Sequence, residues 1–574
     1  MIPRISRQLK NTPATIRIAS VLTSRRFYTT VASVALITGW AWTETASAQE
    51  LAQADRTGNL ETVVVTGTAF DPNVAPAKSS LETMEPQTII NKSYIEDSVA
   101  ETGTYTTILA IAPSMTGSDL NGPGLSDGGV KNTLRGLPDG SFGINYDGIP
   151  FGDTNGPSHH SESYFPVSTI GSIDVDRGPG NAGNLGPSTY GGSINMFSEV
   201  LNSQSSARAV ATYGSFNTSE FNANYQTGDM NLAGMNDRLL LNFQDTNTNG
   251  YLTYQESWAQ NYLVKDQVEV APGWTVTAFA NYNGLFQQLE DNSGATAAQI
   301  NTFGKNYALQ ENNPAAGTYA PYNKVHKKTD MDYLRLQGDL WHGITLDDTL
   351  YTYAYVNKTL STTSVQQTMA DIVAGITEGN GTIVNGKTFK TDVPGYTKQN
   401  AYRNWGNILR LSDDFDMGWL TGQVRGGIWW EDSTSQRARS DFDMTQCYAA
   451  GCNPWHSTTF ADSRLLTGQK TPTSGPLFGG YFEYYEHSGW SEYQPFVEVE
   501  LHPLPDLTIT PGYKYVWWDH YLSAPLEQKS KPVVPAAGEF VTTHDLPFLM
   551  ANYKIRNSWS VYAQYAQGIY IPDI

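Results

Sequence analysis

The sequence is short of basic residues, cysteine and long apolar runs, and each shortage excludes something. Its 574 residues hold 36 Lys and Arg against 56 Asp and Glu, a formal charge of −20. Nucleic acid as a partner is excluded, because phosphate recognition needs a basic footprint. No stretch reaches the roughly 18 apolar residues of a spanning helix, which excludes an α-helical membrane protein. Two cysteines are too few for a disulfide-built scaffold. What is plentiful is Tyr (33), Gly (52) and Trp (14), with aromatics at 12%. That aromatic content excludes intrinsic disorder, and the Tyr-rich, helix-former-poor text points to an all-β protein.

The first 28 residues carry six bases (Arg4, Arg7, Lys10, Arg17, Arg25, Arg26) and no acid. A short apolar stretch from Val31 to Trp42 follows, and then Ala46-Ser47-Ala48, a small-residue cleavage pattern. Residues 1–48 therefore read as an export signal. Its removal leaves 30 basic and 55 acidic residues, a net charge of −25. Export bears on Cys447 and Cys452, which lie close together in a polar stretch. In an oxidising compartment such a pair reads as a loop disulfide. The alternative, a metal site with His456, lacks a fourth ligand.

Three zones follow the signal. Residues 49–74 are polar apart from one apolar burst. Residues 75–200 combine an expected helix near 93–111 with Gly- and Pro-rich turns and short strands. From about 205 onward the text alternates apolar and polar positions. In 493–501, Tyr493, Pro495, Val497, Val499 and Leu501 share one face, while Gln494, Phe496, Glu498 and Glu500 share the other. Period two over about nine or more residues is a strand with one apolar side, long enough to cross a bilayer when tilted. About 13 such strands are expected, and from 269 onward short and long connections alternate between them. Tight turns at one end and long loops at the other mark an outer-membrane barrel rather than a soluble sandwich. Trp429, Trp430, Trp517 and Trp518 read as interface-belt aromatics or as ligand-stacking groups.

The order of short motifs is more specific. ETVVVTGT, LRGL, DGIP, IGSIDVDRGPGNA and YGGSINM occur in sequence between residues 61 and 196. This series resembles the N-terminal half of TonB-dependent outer-membrane receptors. The resemblance implies a plug domain at 75–200 inside a transmembrane antiparallel β-barrel at 201–574. It also implies a location in the bacterial outer membrane, with outer-membrane lipid around the barrel. The family barrel has 22 strands, so an incomplete barrel, ended before its closing strands, is expected. Glu61, Thr62, Val63, Val64, Val65 and Thr66 would form the TonB box, a segment able to add as a strand to the TonB energy-transducing complex. The plug arginines Arg135 and Arg177 would pair with inner-wall carboxylates, for which Glu498 and Glu500 are candidates. Plug loops near 118–129, 138–142 and 151–163 would meet a small-molecule ligand. Their candidate contacts are Asp139, Asp153, Asn155, His159 and His160.

No nucleophile elbow, zinc-protease signature or other catalytic pattern is present, so no enzyme, no cofactor and no resident metal is expected. Within the resemblance the first expectation for the ligand is a ferric siderophore or other ferric chelate. Cobalamin or an oligosaccharide is the alternative. A passive porin or adhesin leaves the TonB box and the plug without a purpose.

Overall fold

The computed structural model describes residues 77–117, 132–153, 163–288, 295–310, 319–362, 382–384, 387–389, 394–443, 484–527 and 536–571. The expected signal, the TonB box, Asn155, His159, His160 and both cysteines lie outside the described residues.

Among residues 77–197 a six-stranded mixed sheet forms. Its order is Ala77–Lys78, Gln87–Ile90, Ser172–Asp176, Ser193–Phe197, Gly143–Tyr146, Ile149–Pro150. Only the Ser193–Phe197 and Gly143–Tyr146 pair is parallel. Alternate residues Ile144, Tyr146, Ile173, Val175, Ile194 and Met196 are buried to within 1% exposure. They give this small unit its own apolar core. The single helix expected near 93–111 is two short helices, α1 (Lys92–Ser98) and α2 (Tyr105–Leu109). Asn91 caps the first, its side chain accepting from the Tyr94 N–H at 2.8 Å. The break falls at Gly103, where a Cβ would stand 2.9 Å from the Ala100 carbonyl and 3.1 Å from Val167.

The remaining strands build one antiparallel wall. They are β1 (Ser206–Tyr213), β2 (Ser219–Gln226), β3 (Met235–Thr248), β4 (Ser257–Ala271), β5 (Trp274–Gln288), β6 (Lys324–Asp339) and β7 (Thr345–Ser361). They continue as β8 (Pro394–Asp416), β9 (Thr421–Asp443), β10 (Tyr484–Leu504), β11 (Leu507–Glu527), β12 (Ala536–Arg556) and β13 (Trp559–Ala566). Each pairs with the next, and a short strand, Met230–Leu232, adds to β3, making 14 in all. Among the described residues β1 and β13 are the edges and do not pair with each other. The path of 13 strands matches the count expected from alternation.

Strand ends differ from expectation. β8, β9, β10, β11 and β12 run 21 to 23 residues, or about 70 Å at ~3.3 Å per residue. A bilayer needs about 9–11 residues. The extra length lies at the ends with long connections, where inward and outward residues alike are polar or aromatic, as at 484–488, so the apolar alternation that marks a strand in sequence is absent.

The wall reverses the polarity of a soluble sheet. On β10, Glu492 and Gln494 are 0% exposed and Glu498 3%, whereas Tyr493 is 42% and Val497 45% exposed. Leu334, Leu350, Leu549 and Val561 are outward and exposed in the same way. Apolar residues face out because the surroundings they suit are hydrocarbon. The inner face is polar because it meets the small mixed sheet and its loops.

Placing a charge on the outer face tests this orientation. Val497→Lys should lower folding stability in lipid vesicles by about 2–4 kcal/mol. Val497→Thr should have a much smaller effect. Denaturant titration of the vesicle-inserted protein measures both, and equal effects would contradict a lipid-facing position.

Candidate functional site

The site is the contact between the inner wall and the domain it surrounds. It has two ends, and the chain enters at one of them. Residues 81–85 lie along β12 and β13 beside their tight turn. Lys554 pairs with Glu82 at 2.6 Å. Asn552 donates to the Leu81 and Thr83 carbonyls at 3.1 and 2.6 Å, and Ser560 to Leu81 at 2.7 Å. Glu85 accepts from Gln564 on β13 and from the Gly180 backbone, both at 3.3 Å. Burial first, and then the Asp176 carboxylate, push the Glu85 carboxyl up to about 8; the two hydrogen bonds and the Arg135 charge act in the opposite sense.

Among the described residues, the expected pairing of Arg135 and Arg177 with Glu498 and Glu500 does not form. Glu498 and Glu500 do face inward, but both bind Arg425 of the neighbouring strand β9, at 2.8 and 2.9 Å. Adjacent strands hold such side chains in direct register, as Arg425 opposite Glu498 shows, so the wall neutralises its own charges. Glu498 still reaches the inner domain, where it accepts from the Gly183 backbone. Arg177 donates to the Pro113 carbonyl at 3.0 Å and to Thr88, staying within its own domain. Arg135 is exposed, at a left-handed turn position with φ 53°.

Charged grips across the interface run the other way, from wall to inner domain. Arg335 on β6 donates to the Asp147 carbonyl, and Arg410 on β8 to the Gly148 carbonyl at 3.5 Å. Tyr333 donates to the Asp147 carboxylate at 3.0 Å. Gly148 adopts φ +79°, and a Cβ there would stand 4.0 Å from both guanidinium groups. Lys514, 0% exposed, donates to the Asn184 carbonyl. Gln494 donates to the Gly186 carbonyl at 3.1 Å. Sequence reading missed these wall cations. The signal was available: a charged residue inside a lipid-crossing strand has to point away from lipid. Arg335 in YLRLQ and Arg410 in ILRLS fit that description.

At the other end, the two feet of segment 154–162 are fastened to the wall. Gly152 donates to the Tyr353 hydroxyl at 3.3 Å. The Ser163 carbonyl accepts from Asn283 at 2.7 Å and Thr329 at 2.9 Å, and the Tyr164 carbonyl from Asn281 at 3.0 Å. Asp153 is buried at the first foot. Asp139 caps its own turn, accepting from the Gly140 N–H at 2.9 Å. Farther along the strands, toward the long connections, cations lie against aromatic rings on the inner face. Lys327 is 5.9 Å from the Tyr355 centroid, Arg437 5.9 Å from Tyr484, and Arg439 3.9 Å from Tyr396. The tryptophan pairs divide by strand alternation. Trp429 and Trp518 are buried inward, with Trp429 donating to Tyr351 at 2.7 Å, while Trp517 packs against the outward Tyr493 at 5.4 Å.

Residues 79–193 match the family described as TonB-dependent Receptor Plug Domain. Solved structures of the same architecture are similar to the chain. The ferric citrate transporter FecA in its unliganded form is 16% identical at a TM-score of 0.61, covering 84% of this chain. The siderophore receptor PiuA from Acinetobacter baumannii is 14% identical at 0.57, covering 85%. The open form of the ferric-catecholate import receptor Fiu from E. coli K12 is 14% identical at 0.57, covering 85%. The chain spans 62%, 64% and 70% of those three structures. No curated protein matches its sequence. Fold and inner domain thus define a plugged β-barrel, incomplete among the described residues. Residues 79–193 thus form a TonB-dependent receptor plug domain, and the wall beside it has the fold of the solved receptors.

Two measurements test the interface. Replacing Arg335 and Arg410 together by Met should raise hydrogen exchange of the 143–151 amides by about tenfold or more, since each bond from a charged donor contributes roughly 1.5–3 kcal/mol. Wall amides should keep their protection. The second concerns pH. A carboxyl whose native pKa stands above its unfolded value stabilises fully below the unfolded value. That contribution is lost as pH rises through the native one. Protection of the 81–90 amides, corrected for intrinsic exchange, should therefore fall by well over ~10-fold from pH 5 to pH 8.5. Glu85→Gln should remove most of that slope.

Proposed function

We propose that the chain imports a scarce small molecule through the outer membrane, driven by TonB, with an anionic ferric chelate as cargo. The observation that carries this reading is the opposite placement of the plug's two ends. Residues 81–85 enter at the tight-turn end, beside Lys554 and Ser560. Residues 152 and 163 stand toward the long-connection end, beneath Lys327 and Tyr355. Glu61–Thr66 precede the first described residue by about a dozen positions, a reach of up to ~40 Å when extended. That suffices for the segment to hang on the periplasmic side and add as a strand to TonB. Force on it would act first on the 81–85 contacts with β12 and β13.

The cargo class rests on the paired cations and rings. Lys327 and Arg439, each against a tyrosine, suit an anionic ligand with flat aryl or carboxylate groups. The names of FecA, PiuA and Fiu, all iron-related, support the same choice. Transport needs no covalent chemistry.

Deleting residues 61–66 should abolish uptake of radiolabelled ferric citrate or a ferric tris-catecholate while surface binding stays. Persisting uptake would indicate a passive channel. Lys327→Gln with Arg439→Gln should weaken binding of the same probes by about tenfold. Saturable binding of cobalamin or maltohexaose in place of the ferric probes would overturn the cargo assignment.

A further inference from the structure

A patch of the inner wall beneath the plug has a shape and a charge that seating the plug does not require. Arg410 of β8, Gly427 of β9, Phe496 of β10 and Lys514 of β11 lie in one register row. Arg410, Phe496 and Lys514 are inward and buried. Three strand spacings set the two cations about 14 Å apart. Between them the floor is low and apolar. The Phe496 ring lies across Gly427, where a Cβ would stand 2.9 Å from that ring and 2.2 Å from the Leu409 carbonyl. A side chain at 427 would fill the space that the ring now spans.

The two cations are poorly matched by what they touch. A buried charge calls for a counter-charge or for several strong hydrogen bonds. Arg410 donates to the Gly148 carbonyl at 3.5 Å, and Lys514 to the Asn184 carbonyl. The carboxylates that face them are engaged elsewhere. Asp347, opposite Arg410 in register, accepts from Gln337 at 3.2 Å and pairs with Arg335 at 3.8 Å. Glu498 binds Arg425 at 2.8 Å, and Glu492 accepts from Gln494 at 3.1 Å. Plug residues 181–186 lie over the floor. A Cβ on Gly183 would stand 3.4 Å from the Phe496 ring, and one on Gly512 3.1 Å from Ala182. The cover is loose. A cavity of about 20 Å³ remains between plug and wall, lined by Asn181, Gly183, Arg410, Arg425, Phe496 and Glu498.

We propose that this patch is a second binding site for the anionic cargo, closed in the resting protein by plug residues 181–186. Phe496 and the glycine floor offer a face to a flat aryl group. Arg410 and Lys514, at its two sides, take carboxylate or catecholate oxygens. A charged oxygen is a stronger partner for either cation than the neutral carbonyl it replaces, so cargo can take over the donors that the plug gives up. The position fits a second step. Lys514 is seven residues from the tight-turn end of β11 at Leu507, whereas Lys327 is twelve from that of β6 at Asp339. Cargo leaving Lys327 and Arg439 for the tight-turn end meets this patch next. The site deepens the import reading proposed above and rests on it.

Photo-cross-linking in whole cells tests it. p-Benzoylphenylalanine takes the place of Phe496 in one variant and, in another, of Val516, two residues from Lys514 on the same buried face. Cells receive radiolabelled ferric tris-catecholate or ferric citrate. Cross-linked label is expected in respiring cells, and about tenfold less of it after a protonophore, because the plug then keeps the patch closed. Arg410→Gln with Lys514→Gln should lower both cross-linking and uptake about tenfold. Arg410→Lys with Lys514→Arg should keep both, which separates charge from folding. Uptake without cross-linking at either position would overturn this site alone. Equal cross-linking with and without the protonophore would overturn its closure by the plug. Full cross-linking in the Gln variant would mean that the two cations only seat the plug, and would overturn their role in binding. Absence of uptake of both probes by the unsubstituted protein would overturn the import reading, and this site with it.

Discussion

The structure depends on a polar inner wall meeting an acceptor-rich partner. Between its two edges the wall pairs its main-chain groups strand to strand, and its outward side chains are largely apolar. The inward side chains must then be the polar ones, and many are donors: Arg335, Arg410, Lys514, Gln494, Asn281, Asn283 and Asn552. Buried donors without acceptors would be costly. The plug supplies main-chain carbonyls at Leu81, Thr83, Asp147, Gly148, Ser163, Tyr164, Asn184 and Gly186. Because the acceptors are backbone atoms, the plug's side chains at these places are little constrained by the contact. The interface recognises the path of the plug chain more than its residue types.

That property explains what sequence could and could not disclose. The all-β wall, the number of strands and the face of each residue in 493–501 followed from period-two alternation and from the few connecting residues at one end. The plug followed from five motifs in order. The partner choice of Arg177, Glu498 and Glu500 did not follow, because ion pairing depends on register between strands, which no local pattern carries. Arg425 lies opposite Glu498 only once β9 and β10 are aligned. Outer strand ends were missed for the complementary reason: where both faces carry polar and aromatic residues, as at 484–488, no apolar alternation marks the strand.

The two ends of the plug are built differently, which suits different roles. The 81–85 end rests on a few polar contacts with two strands, one of them an edge strand of the sheet, and on a carboxyl, Glu85, held in an unfavourable setting beside Asp176. The other end, at residues 146–153 and 163–165, is embedded among aromatic rings. Tyr146 stacks on Phe165 at 4.2 Å, and Phe279 on Tyr333 at 4.8 Å. Local opening is drawn from regions of low contact density, so the entry segment is the part able to move while the ring-packed part keeps its shape.

The bond from Asn552 to the Thr83 carbonyl joins residues 469 positions apart. Contacts of such sequence separation form late, since the loop they close is nearly the whole chain. The plug is made well before its seat on β12 and β13. Until those strands are in place the Leu81 and Thr83 carbonyls lack the donor that Asn552 supplies, a window in which the entry segment stays open to other partners, a holding chaperone among them.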